Sequence, residues 1–196
     1  MTAASAPASL SVLPELALED ITAARAAFDA ARHKAFDDFR SRRDPDALNR
    51  HLRALADELL VRLWRNAGLC SGWALLAVGG YGRGDLFPHS DVDLLILVDG
   101  EPNETAQRGL ETFIGHCWDM GLAIGQAVRS VAECVSEQAA DVTIQTALLE
   151  RRFLTGARPL AAALDAALAD SIDPVAFMAA KTVEMQRRHA RFQDTP

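Results

Sequence analysis

The hydrophobic positions in the first third of the chain recur with a helical period. Across residues 15–40, apolar side chains return every three to five positions among charged ones, as on the buried face of an amphipathic helix. Asp44 and Pro45 then supply a cap, and a leucine stripe continues through 48–68. The pattern predicts two helices, which we assign to an N-terminal helical segment at 14–68.

The period then changes to short apolar runs. Residues 73–78 and 92–98 are continuous apolar stretches, each closed by a glycine-containing turn, and such runs favour buried strands. Residues 122–129 predict a third strand. Between the first two runs, YGRGDLFPHS is rich in turn formers, and the ring of Pro88 blocks a helix, so a loop is expected there.

Helical patterns surround and follow these strands. Residues 103–120 predict a helix, and Ser130 with Glu133 forms a capping box that opens another. Beyond position 141 the chain is expected to be helical nearly to its end. We therefore predict an α/β (α+β) fold in which a core at 69–140 holds a small mixed sheet. A C-terminal helical segment follows at 141–196.

Composition narrows the class of protein. The net charge of -7 and pI near 5.2 argue against a surface that wraps nucleic acid, and no apolar run approaches a membrane span. Residues 1–13 are mainly Ala, Ser and Pro and are expected to be a disordered leader. The three cysteines are Cys70, Cys117 and Cys134. They are scattered and lack metal-site spacing, so a reducing, cytoplasmic location is expected.

The chemistry is concentrated in AVGGYGRGDLFPHSDVDLLILV, at residues 77–98. A dinucleotide-binding loop is excluded because Gly80, Gly82 and Gly84 follow G-x-G-x-G, and because Pro88 and a strand follow where a helix is required. A P-loop is excluded because no G-K-[ST] closes the glycine run.

Asp91 and Asp93 stand at positions i and i+2 where a strand begins, so both carboxylates are expected on one face of the sheet. Two like charges a few ångströms apart repel each other, and a divalent cation removes the conflict. Mg²⁺ accepts one or two protein carboxylates together with substrate phosphates. The spacing therefore predicts that Asp91 and Asp93 are metal ligands.

Four further residues are candidates for nucleotide binding. Gly79 and Gly80 follow a buried strand, and glycine lets backbone N–H groups approach a phosphate closely. Ser90 offers a hydroxyl, and Arg83 offers a forked cation that either contacts phosphate or braces the loop. Together with the aspartates, they predict a phosphate and metal site at one strand end.

These residues carry a family resemblance. Gly79 to Asp93 match G-G-x-G-R-x-[DE]-L-x-P-x-S-D-x-D, which resembles the signature of the DNA polymerase β nucleotidyltransferase superfamily. Within this superfamily, the sequence at residues 77–98, 121–156 and 181–196 is similar to the amino-terminal part of the PII uridylyltransferase/uridylyl-removing family. That family continues into an HD-type hydrolase domain and two ACT domains, so we expect a fragment or truncated relative.

The resemblance implies Mg²⁺-dependent transfer of UMP from UTP to a tyrosine of the PII nitrogen-signalling protein, with release of pyrophosphate. It also implies that Asp91 and Asp93 are the catalytic residues. Glutamine would act as an effector through domains that this chain lacks. No residue of the motif selects uracil, so UTP as substrate rests on the resemblance alone. An antibiotic- or RNA-directed transferase of the same superfamily is disfavoured by the similarity downstream of the motif and by the acidic charge.

One departure from the family leaves an alternative open. Superfamily members usually carry a third carboxylate on a neighbouring strand, which corresponds here to Ala123, and a frequent histidine corresponds to Gln126. Asp119 and Asp141 are nearby replacements, although surface or capping roles suit them better. The alternative function is therefore a regulatory nucleotide-binding module that transfers slowly or not at all.

Overall fold

A computed structural model of the chain describes residues 13, 18, 20–69 and 72–192. Its helices and strands follow in this order: α1 (Ile21–Arg42), α2 (Pro45–Asn66), β1 (Ala74–Ala77), α3 (Gly79–Arg83), β2 (Val92–Leu97), α4 (Glu104–Asp119), β3 (Ile124–Arg129), α5 (Val131–Ala140), α6 (Val142–Leu149), β4 (Arg152–Gly156), α7 (Arg158–Ser171) and α8 (Pro174–Phe192). The expected disordered leader lies, except for its last residue, outside the described residues.

The four strands form one mixed sheet in the order β3-β2-β1-β4. Strand β1 pairs antiparallel with both β2 and β4, whereas β2 and β3 are parallel. Parallel neighbours need a crossover connection, and α4 provides it. The predicted α/β class and small mixed sheet are confirmed.

Side-chain hydrogen bonds place the helix starts. The Asp44 side chain accepts from the Ala47 amide with Pro45 in the first turn, and Ser130 with Glu133 makes the predicted capping box. Asp20 caps α1, so that helix begins later than the sequence predicted. Each cap satisfies an amide that lacks an intrahelical acceptor.

The sheet is packed on both faces. Val92, Leu94 and Ile96 of β2 join a core shared with α1, α2 and α4, whereas Leu95 and Leu97 join a second core with α5, α6 and α7. This division follows the two-residue alternation of a strand. Odd-numbered residues of β2 therefore point to the second face, and Asp93 begins that series.

Two elements differ from the sequence predictions. Residues Gly79–Arg83, expected to be a loop, form the short helix α3, in which the Gly82 amide donates to the Val78 carbonyl at 2.9 Å. Pro88 lies beyond the end of this helix and does not disturb it. Residues Arg152–Gly156, expected to be helical, form β4 because the exposed edge of β1 pairs with them.

Among the residues that the structure describes, no helix has both the length and the apolar character needed to cross a membrane.

Candidate active site

Asp91 and Asp93 lie where β2 begins. Asp91 is exposed just before the strand, and Asp93 is half-buried within it. Strand alternation directs both side chains to the same face of the sheet. Burial, and secondarily the charge of Asp91, raises the pKa of Asp93. The pair therefore carries electrostatic repulsion that a cation would relieve.

The carboxylate of Asp93 lies in a slot between two glycines. Gly79 precedes it on one side, with φ at +58°, and a Cβ built there would stand 3.5 Å from Asp93 Oδ2. On the other side Gly125 of β3 is the register partner of Asp93, and a Cβ there would stand only 2.5 Å from Oδ1. We call these three residues, Gly79, Asp93 and Gly125, the carboxylate slot.

Ser90 shapes the turn that leads into Asp91. Its hydroxyl accepts a hydrogen bond from the Phe87 amide at 3.3 Å, and its own amide donates to the Phe87 carbonyl at 3.0 Å. The Leu86 amide donates to the Asn49 side chain of α2 at 2.9 Å, which ties the loop to the helical layer. Ser90 is thus placed next to the aspartate pair by local hydrogen bonds.

The guanidinium of Arg83 is held by two carboxylates. It lies 3.0 Å from Asp85 and 2.7 Å from Glu150, and about half of its side chain is exposed. These contacts correspond to the bracing role considered for Arg83, because they join α3 to the end of α6. A phosphate would have to compete with both carboxylates for this cation.

A second set of contacts lies behind α3. The Tyr81 hydroxyl donates to Asp57 of α2 at 2.5 Å, and Arg152 of β4 donates to the same carboxylate at 2.8 and 3.0 Å. Sequence reasoning missed Asp57 and Arg152. Neither shows a sequence signal, because they are far apart along the chain and meet only when β4 joins β1.

The position of the expected third carboxylate can be read from the register of β2 with β3. Val92 pairs with Ile124, and the Val92 amide donates to the Ala123 carbonyl at 2.8 Å, which places Ala123 next to Asp91. Within the described part of the chain, no three His, Cys, Asp or Glu side chains come close enough to share a metal ion. Among the described residues, the aspartate pair therefore has no third acid close enough to share an ion with it.

The two nearby acids considered as replacements lie elsewhere. Asp141 caps α6 by accepting from the Thr143 amide at 2.7 Å, and Asp119 closes α4, with its carbonyl accepting from Arg25 at 3.2 Å. Hydrogen bonds from Thr143 lower the pKa of Asp141. Asp141 therefore has a capping role, and Asp119 lies at an exposed surface position at the last residue of α4.

A cavity of about 300 Å³ opens beside the same strand end. Its walls are mostly apolar side chains of α1, α2 and the loop before β2, and Ser90 and Ala123 lie at one end of it. Neither Asp91 nor Asp93 lines the cavity. The cavity and the carboxylate slot are therefore separate features of one sheet edge.

Comparison with known proteins identifies related sequences. Residues 68–151 match the family described as "Nucleotidyltransferase domain". A bifunctional uridylyltransferase/uridylyl-removing enzyme of Bordetella avium is 49% identical over 85% of this chain and 20% of its own length. One of Cupriavidus pinatubonensis is 46% identical over 97% of this chain and 22% of its own length. The chain thus spans about a fifth of the length of these curated relatives.

Among solved structures, one described as a toxin-antitoxin with AMP-PNP aligns with a TM-score of 0.36 and 15% identity. It covers 70% of this chain and 96% of that chain, and its similarity is too low to support a conclusion. The family match and the identities of the relatives carry the assignment instead. Residues 68–151 of this chain match a nucleotidyltransferase domain, and the chain is similar over most of its own length to about a fifth of the length of bifunctional uridylyltransferase/uridylyl-removing enzymes.

Proposed function

We propose that this chain binds UTP with Mg²⁺ at the aspartate pair and transfers UMP to a tyrosine of a PII protein, releasing pyrophosphate. The observation that carries the proposal is the carboxylate slot, in which Asp93 lies between Gly79 of the turn and Gly125 of the neighbouring strand. It supports a site where a metal-bound triphosphate meets backbone N–H groups.

The residues present suit Mg²⁺. Asp91 and Asp93 supply two oxygen-donor side chains. Burial and the charge of Asp91 raise the pKa of Asp93, and a bound cation would favour its charged form. Mg²⁺ commonly binds one or two carboxylates and completes its shell with phosphates and water. When bound, it would screen the triphosphate and stabilise the leaving pyrophosphate.

The chain's own groups would position the nucleotide. The first amides of α3 have no acceptor within the helix, and glycine at positions 79 and 80 leaves them open to a phosphate oxygen. The Ser90 hydroxyl stands at the entrance of the strand that carries Asp93. Holding the α-phosphorus near the aspartates aligns it for in-line attack by a hydroxyl.

The choice of UTP and of PII rests on similarity. The relatives are named uridylyltransferases, and residues 79–93 and 121–156 resemble the PII uridylyltransferase family. A cytoplasmic location rests on the scattered cysteines, and glutamine as an effector acting through domains outside this chain rests on the resemblance. No nucleic-acid or membrane partner forms part of the proposal.

A second candidate is a nucleotide-binding regulatory module without transfer activity. It is favoured by Ala123, which lies beside Asp91 at the position where the family carries its third carboxylate. A chain with two acids would still hold Mg²⁺ and nucleotide, while the attacking hydroxyl would lack a nearby base.

Incubation of the chain with labelled UTP, Mg²⁺ and PII distinguishes the two. Label on a PII tyrosine supports transfer, and binding of Mg·UTP without label supports the module. Asp93→Ala should abolish both signals, whereas Asp99→Ala, at an exposed aspartate beyond the other end of β2, should leave them unchanged. Wild-type chain that binds no Mg·UTP would contradict both functions.

A further inference from the structure

Three residues from distant parts of the chain meet beneath α3. Tyr81 belongs to α3 itself, Asp57 to α2 and Arg152 to β4. The carboxylate of Asp57 accepts the Tyr81 hydroxyl at 2.5 Å and two N–H groups of Arg152 at 2.8 and 3.0 Å. We call these three residues the brace.

Arg152 grips both the side chain and the main chain of Tyr81. Its Nη2 donates to the Tyr81 carbonyl at 3.3 Å, and its guanidinium lies 5.3 Å from the centre of the Tyr81 ring. The backbone of α3 is therefore attached directly to β4. A forked guanidinium makes such paired contacts, whereas a lysine ammonium cannot reproduce them.

Burial makes the brace costly to disturb. Tyr81 is 1% exposed, and burial, followed by the charge of Asp57, raises the pKa of its hydroxyl. The phenol thus remains a proton donor at neutral pH. Removing one partner would leave another polar group of the brace without its hydrogen bond.

The brace is coupled to the carboxylate slot through a very short path. Tyr81 lies two residues after Gly79, which approaches the carboxylate of Asp93. On its other side α3 has no spare room, since a Cβ at Gly82 would stand 2.0 Å from the Glu150 carbonyl oxygen. A shift of Tyr81 would therefore alter the spacing between Gly79 and Asp93.

We propose that Asp57, Tyr81 and Arg152 are positioning residues of the nucleotide site, which set the distance between the Gly79–Gly80 turn and Asp93 without touching the nucleotide. This inference rests on the proposed function, because it assigns that turn to the triphosphate. It extends the site beyond the motif to α2 and β4.

The test compares Tyr81→Phe, Asp57→Asn and Arg152→Lys with the wild-type chain. The dissociation constant for Mg·UTP is measured by calorimetry, at a temperature well below the melting temperature of each variant. Each brace variant should weaken binding by roughly 5-fold or more, the usual scale of coupling between linked sites. The double variant Tyr81→Phe with Asp57→Asn should lose less than the product of the single losses, since the residues act as one unit.

Arg151→Lys is the matched control. Arg151 precedes Arg152 directly, but its side chain contacts Asp165 of α7 at 2.6 Å and the Leu148 carbonyl of α6 at 2.7 Å rather than the brace. Arg151→Lys alters a comparable arginine–aspartate pair, so a general loss of stability should appear in this variant as a lower melting temperature. Its affinity for Mg·UTP should remain that of the wild-type chain.

Amide hydrogen exchange provides a second readout that needs no nucleotide. The Gly82, Gly84 and Asp85 amides donate to the Val78, Tyr81 and Gly80 carbonyls, and they should exchange faster in the brace variants than in Arg151→Lys. Folded Tyr81→Phe and Asp57→Asn with wild-type affinity, or with unchanged exchange in α3, would overturn the positioning role. Wild-type chain that fails to bind Mg·UTP overturns the proposed function, while the exchange rates still decide whether the brace positions the turn.

Discussion

Gly125→Ala tests whether the carboxylate slot sets the geometry of the site. The new Cβ would stand 2.5 Å from Asp93 Oδ1, whereas ordinary contact begins at 3.4 Å, so the two atoms must separate by about 0.9 Å. The carboxylate is the mobile end of a side chain, and it moves more easily than the backbone of β3. Its direction of escape leads towards Gly79, where the triphosphate is proposed to bind.

The expected result is a folded chain with a damaged site. Gly125 does not adopt a positive φ, so alanine fits its backbone conformation without strain. Misplacing a catalytic group by about 1 Å costs on the order of 100-fold in rate. We therefore expect kcat/KM for UMP transfer to fall by about that factor, with little change in melting temperature.

Steady-state transfer of labelled UMP, with calorimetry of Mg·UTP binding, measures the effect. The control is Gly115→Ala, where the added methyl group meets nothing within 4 Å on α4. That change should leave activity intact and stabilise the helix by roughly 0.5–1 kcal/mol. Gly125→Ala with wild-type kinetics and nucleotide affinity would refute the argument that this glycine is required by Asp93.

Three further changes test other parts of the structure. Gly82→Ala should lower the free energy of unfolding by about 2 kcal/mol or more in urea denaturation, because its Cβ would meet the Glu150 backbone at 2.0 Å, and an unchanged midpoint would contradict this packing. Asp93→Asn should raise the free energy of unfolding at neutral pH when no metal is bound. The pKa of Asp93 is raised in the folded state, so the stability of the wild-type chain falls as the pH rises from the unfolded pKa of about 3.9 through the folded pKa. In thermal melts with EDTA, the higher melting temperature of Asp93→Asn should therefore disappear below the unfolded pKa. An equal increase at every pH would show that the charge of Asp93 is not its cause. Ala123→Glu should increase transfer to PII at least roughly 10-fold if a missing base limits the reaction, whereas Ala123→Gln should not, and equal rates in both variants would remove that explanation.

The elements best predicted from the sequence are those fixed by local interactions. The caps at Asp44 and Ser130 bond to amides within three residues, and the apolar runs of β1 and β2 are bounded by recognisable turns. Helix α3 could not be predicted in this way. Glycine has a low helix propensity, and the helix is held by contacts from Asp57 and Arg152 that no local pattern reveals.

Strand β4 was wrongly predicted as helix for a related reason. Arg152–Gly156 is too short to show a strand period between helices, and it becomes a strand because β1 offers an unpaired edge. The brace depends on this pairing, since Arg152 reaches Asp57 only from β4. A sequence reading that misses the strand therefore also misses the residues behind the glycine turn.

Within the site, Asp93 can be identified from the local sequence, whereas Gly125 cannot. Asp91, Asp93, Gly79 and Ser90 lie within fifteen consecutive residues, so a motif can identify them together. Gly125 acquires its role only from the register of β3, which places it opposite Asp93. The sequence shows a glycine inside a strand, which is a general sign of close approach but does not name the approaching group.

The register also explains why a larger side chain should be accepted at position 123 and not at position 125. At Gly125 the Cβ volume is already occupied by the Asp93 carboxylate, so any side chain there would displace a proposed metal ligand. At Ala123 both the residue and its neighbour Asp91 are exposed, so a longer side chain can extend into solvent beside the pair. A third acid added at Ala123 is therefore expected to reach the aspartates without disturbing the slot, so Ala123→Glu and Gly125→Ala test the chemistry and the geometry of the site separately.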